Sequence, residues 1–154
     1  IIVPHEPTEL HIESAEQTLT GKFDSIRFSY LNNYKGERVI IIDSIGILLT
    51  LYTYAHAAYV GGSFKQGIHN VLEPAVYGIP ILFGPKHENS QEAIKMAEIG
   101  GGIVVRNKKE AYKNLRRIFI DEKLRSSLGK ICADYVKENT GATSKILDEI
   151  SLFI

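Results

Sequence analysis

Short apolar runs rich in β-branched residues recur along the chain with helical patterns between them, and this alternation constrains the fold more than any other feature. The runs are Ile1 to Val3, Ser25 to Ser29, Val39 to Ile42, Ala57 to Val60, Ile79 to Phe83 and Gly102 to Val105, bounded by Gly, Pro, Asn or Asp. Several are apolar on both faces, which is the pattern of strands in a parallel sheet covered by helices on either side. Between them, Thr8 is placed to cap a helix that Gly21 ends, and Ile45, Leu48, Leu49 and Tyr52 have the i, i+3, i+4, i+7 spacing of a buried stripe. Ala93, Ile94 and Ala97 suggest another. Beyond about Lys108 the strands stop and helices follow, with Leu124, Leu128, Ile131 and Tyr135 on one side and Ile146, Leu147 and Ile150 in the last segment. The expected fold is α/β, a Rossmann-like doubly wound parallel sheet built from right-handed βαβ crossovers.

The 154 residues, 44% of them hydrophobic, suffice for one domain with a continuous core, so the whole span 1–154 is read as a single domain. Eighteen Lys+Arg balance eighteen Asp+Glu. No bulk field therefore draws the chain to nucleic acid or to an anionic membrane, and an anionic ligand must be held by local geometry. The single cysteine, Cys132, can form neither an internal disulfide nor a Cys-rich metal site; a buried core thiol in a reducing compartment is its expected role. No apolar run approaches the roughly 20 residues that span a bilayer, so the domain is expected to be soluble and cytoplasmic. Ile1-Ile2-Val3-Pro4 is already a strand ending in a turn signal, which is expected of a piece of a longer protein.

In open α/β sheets ligands bind beyond the carboxyl ends of the strands, which directs attention to the turns after Val3, Ile42, Val60 and Phe83. The third is the most informative. The run Ala57 to Val60 leads into Gly61-Gly62-Ser63, and Gly67-Ile68-His69-Asn70-Val71-Leu72-Glu73-Pro74 follows. Adjacent glycines let the backbone approach an anion with its N–H groups, and Ser63 adds a hydroxyl, so the turn has the makings of a phosphate cradle; a plain tight turn is the competing reading. Asn70 and Glu73 have capping-box spacing, with Pro74 in the first helical turn, and a helix N-terminus there favours phosphate. Glu73 can serve as cap, or accept hydrogen bonds from a pair of ribose hydroxyls. His11 and His56, in helical surroundings, are read as structural, and the absence of an Asp-x-Asp pair argues against a metal.

Tyr59-Val60-Gly61-Gly62-Ser63-Phe64, then Gly67 to Ala75 and Gly78-Ile79-Pro80, resemble the signature of the Kdo (3-deoxy-D-manno-octulosonic acid) transferases. That family typically has a Gly-Gly-Ser turn, a Gly-Gly-His-Asn-x-x-Glu-Pro helix start and a Gly-x-Pro strand entry. Three further pieces match in order. Phe83-Gly84-Pro85-Lys86-His87-Glu88-Asn89 is similar to a Gly-Pro-x-x-x-Asn segment, Pro4-His5-Glu6-Pro7 to Pro-Arg-His-Pro-Glu-Arg, and Asp43-Ser44-Ile45-Gly46 to Asp-Thr-x-Gly. The resemblance covers roughly Ile1 to Gly102. The chain departs from the pattern where His5 or Glu6 stands near a usual Arg, Ile47 replaces a Glu, and Ile68 replaces a Gly.

The resemblance implies the C-terminal, donor-binding half of a two-domain GT-B glycosyltransferase. It implies transfer of Kdo from CMP-Kdo to the lipid A precursor, in lipopolysaccharide synthesis at the cytoplasmic face of the bacterial inner membrane, with acceptor, catalytic carboxylate and membrane contact belonging to the missing half. The substrate-binding residues implied are Pro4, His5, Glu6, Asp43, Ser44, Gly46, Gly61, Gly62, Ser63, His69, Asn70 and Glu73. Neither a cofactor nor a metal nor nucleic acid is implied. Of these residues, the Gly61 turn, His69 and the Asn70 end would face the leaving phosphate, Glu73 the ribose, and the backbone after Pro4 and around Gly46 the cytosine. Lys86 and His87 could reach a sugar carboxylate. Two alternatives stay open: another GT-B enzyme, transferase or epimerase, using a UDP-sugar, or a non-catalytic nucleotide-binding module.

Overall fold

The structure, a computed structural model, describes residues 1–65 and 67–151. They fall into two compact units, Ile1–Leu51 and a second beginning at Tyr52.

In the first unit, strand β1 (Ser25–Arg27) pairs in parallel with β2 (Val39–Ile41), Ile26 opposite Ile40. The opening apolar run forms a single parallel bridge, Ile2 to Ile41, on the other edge of β2: the Ile2 N–H donates to the Ile40 carbonyl at 2.8 Å and the Ile42 N–H to the Ile2 carbonyl at 2.9 Å. Helix α1 (Glu9–Leu19) starts where Thr8 predicts, its hydroxyl accepting the His11 N–H, and it buries Ile12. Arg27 holds α1 from β1. Its guanidinium forks onto both carboxylate oxygens of Glu16, at 2.8 and 2.9 Å, and reaches Glu9, two helical turns away on the same face, at 2.7 Å. A short 3-10 helix, Phe28–Asn33, ends the run that the sequence extends as strand to Ser29.

The buried stripe expected from Ile45, Leu48, Leu49 and Tyr52 is not present. Helix α2 is only Leu48–Tyr52, Ile45 is 85% exposed and Leu49 52%. A stripe of that period needs about two full helical turns. The turn at Gly46 leaves Ile45 outside the helix.

In the second unit, β3 (Ala58–Val60), β4 (Ile81–Phe83) and β5 (Gly102–Val104) form a parallel sheet in the order β3-β4-β5. The central strand is buried on both faces, as its unbroken apolar run implies. Ile81 and Phe83 pack with Val60, Ile68, Val71 and Ala75, and with Ala93, Met96 and Cys132 from the helices α4 (Gln91–Glu98) and α6 (Glu122–Glu138). On the other face Leu82 meets Val105 and Ile118 of α5 (Lys108–Ile120). Each such large apolar side chain contributes about 1.5–3 kcal/mol by leaving water. Met96 completes the α4 stripe that Ala93 and Ala97 announce. Helix α3 (Leu72–Val76) packs on α6 at a point of close approach, where a side chain at Gly129 would stand 2.0 Å from the Gly78 carbonyl oxygen. Helix α7 (Ala142–Ser151) follows, with Ile146, Leu147 and Ile150 exposed. Cys132 is the expected buried thiol: its Sγ donates to the Gly101 carbonyl, and burial pushes its pKa up to about 11. His56 lies on the bend before β3, not in a helix.

Candidate nucleotide site

Because β3 and β4 run parallel in register, Val60 beside Phe83, their carboxyl ends leave side by side and the loops that follow are neighbours. Two sets of contacts strap these loops together, and a third closes the first loop on itself. The Gly84 N–H donates to Ser63 Oγ at 2.6 Å, and the Lys86 N–H to the Ser63 carbonyl at 2.9 Å. Asn89 Oδ1 accepts the Ile68 N–H at 2.9 Å while its Nδ2 donates to the Ile68 carbonyl at 3.2 Å. The His69 N–H closes back on the Gly61 carbonyl at 3.3 Å.

Within this frame Gly62 has a positive φ of 88° and lies beneath the His69 ring. A Cβ at Gly62 would stand 2.2 Å from the Gly67 carbonyl oxygen, a clash with backbone that cannot rotate away, and 3.2 Å from His69 Cδ2 and Nε2. The close backbone approach that the Gly-Gly turn makes in the structure is to the chain's own loop. Ser63 is wholly buried, so its hydroxyl supports the loop from inside and is not presented to a ligand.

Asn70 and Glu73 come together, though not as the reciprocal capping box. Helix α3 begins one residue late, at Leu72, and Val71 at its cap position makes no side-chain bond. Asn70 Oδ1 accepts the Leu72 N–H at 2.9 Å, and its Nδ2 donates to Glu73 Oε1 at 3.1 Å. Asn70 therefore holds both the helix start and the Glu73 carboxylate. At five residues α3 is too short to build the full end charge of a longer helix, so the turn's own N–H groups carry more of any anion binding. Tyr52, half-buried and stacked at 5.8 Å on Tyr77, has its phenol pushed up by burial and then by the charge of Glu73. His87 packs against Phe83 at 5.1 Å with its Nδ1 buried and without a hydrogen-bond partner among the described residues; Lys86 is exposed.

In the first unit, the Ile2–Ile41 bridge places Pro4 and Asp43 beyond the same ends of neighbouring segments. The Asp43 carboxylate is engaged within the chain: Oδ1 accepts the Ser29 N–H at 3.0 Å and Oδ2 the Ser29 hydroxyl at 2.5 Å. Burial raises its pKa, but these bonds outweigh that and hold it below the ordinary carboxylate value. Ser44 Oγ is buried without a partner among the described residues, Gly46 is exposed in a turn with a φ of 89°, and His5 and Glu6 are exposed. The Glu6 carbonyl accepts from His11 Nδ1 at 2.8 Å, which pins the backbone after Pro4 to α1. Two residues that bind these loops, Ser29 and Asn89, are absent from the site residues inferred from the sequence.

No family model matches the chain. Its structure superposes on the crystal structure of the C-terminal CMP-Kdo binding domain of WaaA from Acinetobacter baumannii, with a TM-score of 0.76 over 87% of this chain and 72% of that one, at 19% identity. The fold is accordingly that of the C-terminal domain of a GT-B glycosyltransferase. In sequence the chain is 31% identical to the 3-deoxy-D-manno-octulosonic acid transferase of Haemophilus influenzae, over 100% of this chain and 37% of that protein. It is 34% identical to that of Aquifex aeolicus, over 84% of this chain and 38% of the other. The chain belongs to the Kdo transferase family, and it spans less than two-fifths of the length of these relatives.

Proposed function

We propose that residues 1–154 are the donor-binding domain of a Kdo transferase, holding CMP-Kdo for transfer of its sugar to a lipid A precursor at the cytoplasmic face of the inner membrane. The observation that carries this reading is the strapped pair of loops after β3 and β4. Asn89 fastened to Ile68 and Ser63 to Gly84 hold the Gly61-Gly62 turn, His69 and Asn70 in one rigid arrangement, with the Glu73 carboxylate held by Asn70 beside them.

In transfer, the bond from the sugar's anomeric carbon to the phosphate oxygen of CMP-Kdo breaks, and the acceptor hydroxyl oxygen forms the new bond. The electron pair leaves with CMP, and the hydroxyl proton goes to a base supplied from outside this domain. What this chain contributes is binding and charge stabilisation. The N–H groups of the Gly61-Gly62 turn, with the His69 ring and the Asn70 end, face the leaving phosphate, while the Ile68 and His69 N–H groups stay engaged within the loops; preorganised donors of this kind cost no rearrangement as charge develops. Glu73 takes the ribose hydroxyls. Pro4, His5, Glu6, Asp43, Ser44 and Gly46 are the first unit's donor-binding candidates. Asp43 acts there as a loop anchor, through its bonds to Ser29. Ser63 holds the cradle from beneath.

Calorimetric titration of the 154-residue chain with CMP, UMP and UDP tests the assignment. CMP should bind in clear preference, and no Kdo transfer should be measurable for the chain alone. Preference for UDP would transfer the assignment to a UDP-sugar enzyme of the same fold, and absence of binding by every nucleotide would remove the donor role.

A further inference from the structure

Helix α5 carries its charge on one side. Lys109, Lys113, Arg116 and Ile120 recur at i, i+4, i+7 and i+11, a single helical stripe, and with Tyr112 and Arg117 they line one shallow surface groove. The opposite side of the helix is committed to the core, where Ala111, Leu115 and Ile118 pack with Leu82 and Val105. The basic side therefore faces outward by construction. Tyr112 is 66% exposed and Ile120 72%; Phe119, beside the groove and 58% exposed, has the His56 ring 6.5 Å from its own.

Asp121 also lines the groove, which therefore sets one carboxylate against the four cations Lys109, Lys113, Arg116 and Arg117. Glu110 accepts the Arg106 N–H at 2.9 Å at the start of α5, and Asp121 accepts the Leu124 N–H at 2.9 Å as the cap of α6. Among the described residues no ion pair engages Lys109, Lys113, Arg116 or Arg117. Like charges one helical turn apart repel and weaken a helix, so this stripe costs stability in the free protein, in a chain whose net charge is zero.

The apolar groups among the cations decide which anion fits. A nucleic-acid backbone would be met by the cations, but leaves Ile120 and Phe119 in water. A lipid surface uses both: Lys and Arg stems lie along the interface with their charges at anionic headgroups, Tyr sits at headgroup level, and Ile and Phe enter the acyl boundary. Thirteen residues extend about 20 Å, and no described helix is long and apolar enough to cross a membrane, so α5 would lie in the surface plane. We propose that α5 is a peripheral docking helix for an anionic phospholipid membrane. The family resemblance implies membrane contact through the other half of a two-domain enzyme; this stripe gives the donor domain a contact of its own, independent of which nucleotide it binds.

The test is co-sedimentation of the 154-residue chain with vesicles of phosphatidylcholine alone, and of phosphatidylcholine with phosphatidylglycerol in equal parts. Binding is expected to the anionic vesicles only, falling as salt is raised. The triple variant Lys109→Ala, Lys113→Ala, Arg116→Ala should partition on the order of a hundredfold less, given roughly fivefold per cation, with a melt no lower than that of the unaltered chain and an unchanged CMP affinity. Tyr112→Ser with Ile120→Ser should weaken the binding that persists at raised salt. No partition, or equal partition of the triple variant, overturns the proposal. So does binding to polyuridylate RNA that the triple variant loses while vesicles are ignored.

Discussion

Asn89 grips the backbone of Ile68 at both of its polar atoms, accepting its N–H at 2.9 Å and donating to its carbonyl at 3.2 Å across 21 residues of chain. The side chain acts as a substitute strand partner, joining the loop after β4 to the loop after β3 where no sheet pairing exists. Asn89→Ala removes both bonds. Asn89 is exposed but Ile68 is buried and both bonds are part-buried, so the cost is about 1–3 kcal/mol, a fall in Tm of several degrees. The larger effect is expected on ligand binding, since the segment Gly67 to Asn70 loses its fixed position. A CMP titration of the variant should show several-fold weaker binding, and unchanged affinity would dissociate that segment from the phosphate.

Gly62→Ala should separate loop geometry from fold. Its φ of 88° costs a side chain about 1–2 kcal/mol, and the added Cβ would meet the Gly67 oxygen at 2.2 Å, so the two glycine-bearing limbs of the loop must part. The strands β3 and β4 themselves lie before this point, whereas Ile68 and Val71, on the limb that must move, belong to their core. The expected result is a circular-dichroism spectrum like that of the unaltered chain, a melt lowered by several degrees, and CMP binding lost from the titration.

The strands and the positions of both loops are legible in the sequence because each leaves a local mark: the unbroken apolar run of Ile81 to Phe83 signals a strand covered on two faces, and Gly61-Gly62 signals a close turn. What binds the loops is not local. Asn89 meets Ile68, and Asp43 meets Ser29, only because parallel register brings their loops together; nothing within a few residues of Asn89 or Ser29 announces a partner 21 or 14 positions away. The α2 stripe failed for the opposite reason. Its spacing runs straight through Gly46, whose positive φ stops the helix from including Ile45. The α3 start is one residue late because Asn70 turns the chain through the Leu72 N–H before helical geometry begins.

The first unit should lose stability in acid. Asp43 and Glu16 both have lowered pKa values. For Asp43 the Ser29 bonds overcome burial; for Glu16 the Arg27 hydrogen bonds lead and burial opposes them. Carboxylates lowered by folding contribute stability that is present above their unfolded values, near 3.8 and 4.5, and lost as pH falls through the folded ones. Urea midpoints measured between about pH 6 and about pH 2 should fall more steeply for the unaltered chain than for Asp43→Asn. Ser29→Ala should flatten the profile in the same way, and parallel profiles would show that the Asp43–Ser29 pair contributes nothing to stability.

Glu73 has two possible tasks, and its hydrogen bond to Asn70 makes them separable. The bond runs from Asn70 Nδ2 to Glu73 Oε1 at 3.1 Å, and a Gln at position 73 can still accept it through its own carbonyl oxygen. If Glu73 only braces the start of α3, Glu73→Gln should change stability by a few tenths of a kcal/mol and leave CMP affinity alone. If it accepts the ribose hydroxyls, the variant trades charge-assisted bonds for neutral ones about half as strong, and CMP binding should weaken on the order of tenfold. A thermal melt and a CMP titration in one buffer read both quantities on one variant. The expected pair is an unmoved melt with tenfold weaker binding. A lowered melt with unmoved binding would make Glu73 a brace for α3 and leave the ribose to other groups.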